Sequence, residues 1–230
     1  MKEEIDTYLS CLKLVQSTFF IKKTLIECKK EEKMKNKSVK VMVFMALFGA
    51  IATVLMLFEF PIPFVPVFIK FDFSDMPIII AGFMYGPLAA FGSASVKILL
   101  NLLLNGTDTM FIGELSNFVL TLIYALPASI IYQKVKNKKV AEKGLIVSIL
   151  AVSICAVLSN LFIMFPLYGS LMGLSMDTIV GMASAVNPLV SNAMTMMIFA
   201  ILPFNLFKYT VESLLVLVVY KRISHLLKRV

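Results

Sequence analysis

Long uncharged stretches separated by charged links dominate the chain. Residues 41–58 carry no charge over eighteen positions, close to the roughly 20 apolar residues that a helix needs to cross a bilayer. Residues 76–107 contain a single charge, Lys97, and are too long for one span. We expect Tyr85-Gly86-Pro87 to divide them, because glycine and proline interrupt helices. Further uncharged stretches cover residues 115–133, 144–176 and 178–207. The pattern predicts an all-α integral membrane protein.

Six transmembrane helices are predicted from these stretches. Pro166 is expected to end the fifth helix, and Pro203 to begin the sixth, because a proline disrupts a helix interior. Residues 176–200 are expected to form an extra apolar helix or a re-entrant segment. The predicted spans are about 39–58, 74–85, 87–104, 113–133, 144–165 and 203–221.

The distribution of charge predicts the orientation of these helices. Nineteen of the twenty-two basic residues fall in the N-terminal forty residues, the link after the fourth span and the C-terminal tail. Basic residues accumulate on the cytoplasmic side of membrane proteins. We therefore expect a multi-pass protein of the cell membrane with both termini in the cytoplasm. Acidic residues fall at the opposite ends of the spans: Glu59, Asp72, Asp75, Asp108, Glu114 and Asp177.

Two regions are predicted along the chain. Residues 1–35 are charged and weakly amphipathic, which fits either a helix on the membrane surface or an upstream extension translated ahead of a natural start at Met34. We favour the second interpretation. Residues 36–230 form the predicted six-helix membrane domain.

Composition excludes several classes of function. Hydrophobic residues make up 59% and charged residues 16%, whereas soluble domains have about 45–50% and about 25%. A soluble enzyme or a nucleic-acid-binding protein is therefore not expected. The sequence lacks GxxxxGK[ST] and HExxH motifs, its three cysteines are scattered, and its one histidine lies in the basic tail. We predict no catalytic residues, no metal site and no cofactor.

Polar side chains within the apolar spans are the candidate binding residues. Such groups are costly in a membrane unless they meet a partner, water or a ligand. An asparagine offers donors and an acceptor that suit the edge of a planar heterocycle. The predicted substrate-binding set is Lys97, Asn101, Asn117, Asn160, Asn205 and Lys208.

Two alternatives remain open for these residues. The asparagines are also of the type that joins transmembrane helices through hydrogen bonds. Lys208 has Glu212 four positions later on the same helix, so an ion pair between them competes with a role in binding.

The first loop on the acidic side is strongly apolar and contains several prolines. A loop of this composition is expected to cover either a ligand or the end of the helix bundle. We predict a lid between the first two helices, with Phe60, Phe64, Phe68 and Phe71 as its apolar residues. Ser74 is a candidate cap for the second helix.

Small residues four positions apart on the first helix, Ala46 and Ala50, form a smooth strip. Such strips allow another helix to approach closely, so this face is a candidate docking surface.

Several short motifs follow one another in order along residues 36–230. They are Phe60-Pro61-Ile62-Pro63-Phe64, Asp72-Phe73-Ser74-Asp75-Met76-Pro77, Tyr85-Gly86-Pro87, Val96-Lys97 with Leu100-Asn101, Ser116-Asn117-Phe118, Asn160 ahead of Pro166-Leu167-Tyr168-Gly169, and Pro203-Phe204-Asn205-Leu206-Phe207-Lys208. Together they resemble the substrate-binding S components of energy-coupling factor (ECF) vitamin transporters, and among these the riboflavin-specific members.

The resemblance implies a function and a set of partners. It implies a six-helix membrane domain that binds riboflavin from outside and associates with a transmembrane coupling subunit and two ATPases. It further implies that Asn160, Asn205 and Lys208 hold the flavin ring, that the first loop is the lid, and that Ala46 and Ala50 face the coupling subunit. The alternatives are an S component for a different vitamin and a membrane scaffold that transports nothing.

Overall fold

The computed structural model of the chain describes residues 38–63, 65–66, 69–107 and 109–229, with side chains as far as Arg222. Residues 1–35, for which an extension is predicted, lie outside the described residues, as do Phe64 and Phe68. The chain divides into two compact units between Val43 and Phe44. In the smaller unit, the described residues 38–43 belong to the first helix, and the larger unit contains the elements that follow.

Helices account for most of the described chain. The elements are α1 (Ser38–Leu57), β1 (Phe60–Pro61), β2 (Lys70–Phe71), α2 (Asp75–Tyr85), α3 (Pro87–Asn105), α4 (Ile112–Lys134), α5 (Lys138–Ser159), a π-helical turn π1 (Asn160–Met164), α6 (Phe165–Met172), α7 (Met176–Ser184), α8 (Ala193–Met196), a second π turn π2 (Met197–Ile201) and α9 (Leu202–Arg229). The prediction of an all-α protein is confirmed. The exception is a short antiparallel pair, in which β1 and β2 join the two ends of the loop between α1 and α2.

Five helical stretches in the described part of the chain have the length and apolar composition to cross a membrane. The helix α2 is apolar but has only 11 residues. At 1.5 Å per residue it is about 17 Å long, shorter than the hydrocarbon core of about 30 Å. The five stretches are Ser38–Leu57, Pro87–Asn105, Ile112–Lys134, Lys138–Met172 and Ala193–Arg222.

The first four predicted helices lie within a residue or two of those observed. The break between α2 and α3 falls at Gly86, as predicted. Gly86 has φ +94°, a left-handed conformation that glycine adopts without a steric penalty. Pro87 then occupies the first position of α3, where its missing N–H leaves no bond unmade.

The ends predicted for the fifth and sixth helices are wrong. The fifth runs continuously to Met172 instead of ending at Pro166, and the sixth begins at Ala193 rather than at Pro203. In both helices a π turn lies just before the proline. A π turn shifts the backbone bonding to i→i−5, and this widening accommodates the proline ring without breaking the helix.

The helices pack closely where small residues meet. The helix α2 packs on α3, α4 and α9, and α4 packs along α5. A Cβ atom on Gly82 of α2 would lie 1.9 Å from the Ser129 hydroxyl of α4, so this contact requires glycine. Buried aromatic side chains complete the core, with the rings of Phe83 and Tyr132 stacked 4.4 Å apart.

Candidate functional site

The ammonium group of Lys97 forms the centre of a buried polar network. Lys97 is fully buried, and its three N–H donors are shared among four oxygens near Nζ: Asp75 Oδ1 at 2.7 Å, Asn117 Oδ1 at 2.8 Å, Thr121 Oγ1 at 2.9 Å and Ser74 Oγ at 3.1 Å. These groups belong to α2, α4 and the residue before α2, whereas Lys97 belongs to α3. One cation therefore joins three helices.

Within this network, Asp75 balances the charge of Lys97. Thr121 Oγ1 also donates to Asp75 Oδ1 at 2.6 Å, so the carboxylate receives two strong bonds. Ser74, predicted as a cap for α2, makes no side-chain capping bond; its hydroxyl accepts from Lys97.

A second buried ion pair links the α1–α2 loop to α9. Lys208 Nζ lies 2.8 Å from Asp72 Oδ2, and both side chains are less than a tenth exposed. Asp72 Oδ1 accepts from the Ser74 backbone N–H at 2.7 Å. Burial alone would raise the pKa of Asp72, but the ammonium groups of Lys208 and Lys97 and these hydrogen bonds lower it to about 2. Asp72 is therefore ionised at neutral pH.

Lys208 pairs with Asp72 and not with Glu212, so the alternative pairing left open by the sequence is wrong. Glu212 is fully buried, and neither carboxyl oxygen has a hydrogen-bond partner among the described residues.

A cavity of about 590 Å³ lies in the larger unit. Its volume is within the range of about 300–1,000 Å³ that small-molecule sites occupy. Its wall is formed by parts of α1, α3, α4, α6, α7 and α9, by the α1–α2 loop, and by residues of both π turns. Five of the six predicted binding residues line it: Asn101, Asn117, Asn160, Asn205 and Lys208.

Lys97, the sixth predicted residue, is not among the residues that line the cavity. Its ammonium lies behind the residues that line the cavity and is hydrogen-bonded to the side chain of Asn117. Its assignment as a binding residue stays a prediction, while its contacts show a structural role.

Asn160 is the first residue of π1 and Asn205 lies four residues after the end of π2, and both side chains make the same kind of hydrogen bond to their own helix. Asn160 Nδ2 donates to the Ala156 carbonyl at 2.7 Å, and Asn205 Nδ2 donates to the Ile201 carbonyl at 2.8 Å. In each case the bond spans four residues and fixes the side chain against its own helix. The amide oxygen of each side chain receives no hydrogen bond from the described residues. Each asparagine is thus held in place with an acceptor still available.

Glu114 gives the cavity an acidic group that was not predicted from the sequence to line a binding site. Its Oε2 accepts from the hydroxyls of Thr107 at 3.1 Å and Thr109 at 2.9 Å. The same hydroxyls accept from backbone N–H groups of Phe111 and Gly113, so they fix the start of α4. In the sequence, Glu114 indicated only the orientation of the helices. Thr109 lies only five residues before Glu114, and this short separation could have indicated a local hydrogen bond between them.

Of the aromatic residues predicted for the lid, the two that the structure describes, Phe60 and Phe71, do not line the cavity. Phe71 is 1% exposed, and its ring lies near those of Phe60, Phe73 and Phe207. The loop lines the cavity instead with Glu59, Ile69, Lys70 and Asp72. Glu59 and Lys70 form an ion pair with each other.

The helix α1 has small residues on two faces, a buried face at Gly49 and a more exposed face with the strip of Ala46 and Ala50. Gly49 is buried, and a Cβ there would lie 2.6 Å from Val96 of α3. Ala46 is exposed and Ala50 is partly exposed. The two alanines are therefore accessible on the surface of the larger unit.

The comparison with known proteins identifies the family. The sequence model of the ECF transporter substrate-specific component matches residues 40–220. The chain belongs to this family. It is accordingly a multi-pass membrane protein and a binding component of a transporter, not an enzyme.

Three individual similarities agree with the family. The chain is 32% identical over 191 residues to the riboflavin transporter RibU of Staphylococcus aureus (strain TCH60), covering 83% of this chain and 94% of that protein. It is 33% identical over 131 residues to the riboflavin transporter FmnP of Bacillus subtilis (strain 168), covering 56% and 69%. A solved S component of a bacterial ECF transporter is 31% identical, with a TM-score of 0.64, covering 83% of this chain and 99% of that one.

The pair of Lys208 and Asp72 yields a prediction about stability. Lys208→Met leaves the buried Asp72 carboxylate without its cation, so we expect the free energy of unfolding to fall by roughly 3–5 kcal/mol. Adding Asp72→Asn removes the stranded charge and should recover most of that loss. Denaturant unfolding in detergent measures both effects.

Lys70→Met is the matched control, because it breaks the half-exposed pair with Glu59 and should cost only about 0–1 kcal/mol. A double variant of Lys208 and Asp72 as unstable as the sum of its single variants would contradict the pairing.

Proposed function

We propose that this protein is the substrate-binding subunit of an ECF transporter for riboflavin. It would bind the vitamin from outside the cell and pass it on with a transmembrane coupling subunit and two ATPases. One observation carries the proposal: Asn160, Asn205 and Lys208 line a single cavity of about 590 Å³, in a chain that is 32% identical to a named riboflavin transporter.

The chemistry of the cavity suits a flavin. The flavin ring has carbonyl oxygens and ring nitrogens along one edge, and these groups need partners once water is excluded. Asn160 and Asn205 present amide groups at the π turns. Apolar side chains such as Leu120, Met164 and Phe204 also line the cavity and offer contacts for the ring faces. The polar ribityl chain finds acceptors in Asn101 and Glu114.

Membership of the ECF family implies that partner subunits supply the energy for transport, and this agrees with a sequence that has no GxxxxGK[ST] motif for a P-loop ATPase. The rival interpretation as a scaffold without a ligand is disfavoured by family membership and by the size of the cavity. An S component for another vitamin remains the alternative that the binding experiment below distinguishes.

We further propose six membrane-embedded helices, with α2 as the short second one, and both termini in the cytoplasm. The α1–α2 loop would then lie on the outer side and act as the lid. Its Asp72 reaches Lys208 of α9, so movement of the lid requires this ion pair to break or rearrange.

Riboflavin titration into the purified protein tests the pocket. Removing one partner leaves a buried ligand group unsatisfied, at a cost of roughly 1–3 kcal/mol, or about one to two orders of magnitude in affinity. We expect this loss for both Asn160→Ala and Asn205→Ala, with folded protein retained.

Asn137→Ser is the matched control. Asn137 caps α5 outside the cavity by accepting from Val140 N–H, and serine can replace this bond. Unchanged riboflavin affinity in both pocket variants, or tighter binding of another vitamin by the natural protein, would overturn the assignment.

The proposed orientation predicts a labelling pattern. In a variant without the natural cysteines, Met110→Cys should react with an impermeant thiol reagent added to intact cells, and Val135→Cys should react only after the membrane is opened. Both positions are more than half exposed. The reverse pattern would place the termini outside.

The small-residue strip of α1 predicts a loss of assembly. Ala46→Leu with Ala50→Leu should block close approach of a partner helix, abolishing uptake and co-purification of the coupling subunit. Riboflavin binding by the isolated protein should persist. Ile51→Phe, at an exposed position outside the strip, is the control. Loss of riboflavin binding in the double variant would instead assign the strip to the protein's own packing.

A further inference from the structure

The positive and negative charges of the side chains that line the cavity do not cancel. Among the described residues, Lys208 pairs with Asp72 and Lys70 pairs with Glu59. The remaining charged group on the wall is Glu114, which has no ion-pair partner in the described part of the chain. Its neighbours are the neutral hydroxyls of Thr107 and Thr109. The cavity wall therefore has one uncompensated negative charge.

The geometry of Glu114 leaves one of its oxygens available. Both threonine hydroxyls donate to Oε2, and Oε1 accepts no hydrogen bond from the described residues. The side chain is 8% exposed, and it lies in the first turn of α4, where the helix dipole favours a carboxylate. An ionised carboxylate only accepts hydrogen bonds. Oε1 therefore favours a ligand group that donates, such as a hydroxyl.

The two polar regions of the cavity come from different elements. Asn160 and Asn205 lie at the π turns of the α5 and α9 helices, while Glu114 and Thr109 lie where α4 begins. An elongated ligand with a planar heterocycle at one end and a polar chain at the other can contact both regions. The hydroxylated chain is the part that donates to an acidic acceptor.

We infer that Glu114 determines the preference of this cavity for the uncharged flavin over its phosphate ester. The inference rests on the proposed binding of riboflavin. A terminal hydroxyl can donate to Oε1, whereas a phosphate brings a charge of about −1.5 to −2 at neutral pH. Placing like charges side by side in a site with little water is strongly unfavourable. The Lys208 ammonium does not offset this, because Asp72 already neutralises it.

The test compares the dissociation constants of riboflavin and flavin mononucleotide by fluorescence titration. For the natural protein we expect flavin mononucleotide to bind at least about tenfold more weakly. In Glu114→Gln, which keeps the size and an acceptor oxygen but removes the charge, the ratio of the two constants should fall at least about fivefold.

Two further variants distinguish the effect of the Glu114 charge on this ratio from other effects of a substitution. Glu114→Asp keeps the charge, so the preference for riboflavin should persist. Glu142→Gln removes the same charge from α5 at a position outside the cavity, where Glu142 pairs with Lys138. The ratio should stay at its natural value in Glu142→Gln.

The outcomes distinguish this inference from the proposed function. Failure of the natural protein to bind riboflavin would overturn both. Riboflavin binding with an unchanged ratio in Glu114→Gln would overturn the role of Glu114 alone. If Glu114→Gln does not fold, equal or tighter binding of flavin mononucleotide by the natural protein still contradicts the inference.

Discussion

The buried ammonium of Lys97 is the interaction on which the rest of the structure depends. A charge removed from water is tolerated only when it is paired and hydrogen-bonded. Lys97 meets this requirement through four oxygen atoms from the start of α2 and from α4. The first turn of α2 is thereby fixed against α3 and α4. Ser74 and Asp75, which receive Lys97, lie two and three positions after Asp72, which receives Lys208. The segment 72–75 thus contains partners of both buried lysines, and its contacts tie the end of the α1–α2 loop to α3, α4 and α9.

The cavity takes its shape from this framework and from two interrupted helices. Each π turn lies just before a proline, Pro166 or Pro203, and each is accompanied by an asparagine. The turn lets the helix continue past the proline, and it changes the direction in which nearby side chains point. The asparagines are then held by carbonyls of their own helices. The two asparagines are consequently positioned by local backbone geometry, whereas Asn117 of α4 is positioned by the lysine network.

Much of the fold could be predicted from the sequence, because charge gaps mark membrane helices directly and Gly86-Pro87 marks a break. The same logic failed at Pro166 and Pro203, since a π turn leaves no mark in the hydrophobic pattern. Five of six candidate binding residues reached the cavity wall, because a polar group in an apolar span needs a partner or a ligand. The partner of Lys208 could not be predicted, as Asp72 lies 136 positions away in the sequence. Glu114 was missed because acidic residues at span ends were interpreted only as evidence of orientation.

The central claim is that the cavity between the π turns and the start of α4 holds riboflavin. Native mass spectrometry of the full chain, released from detergent after purification from riboflavin-fed cells, tests it most directly. We expect a mass increase equal to one riboflavin per chain, identified after release as the unphosphorylated vitamin. A chain that carries no flavin under these conditions, or that carries a different small molecule in its place, would contradict the account.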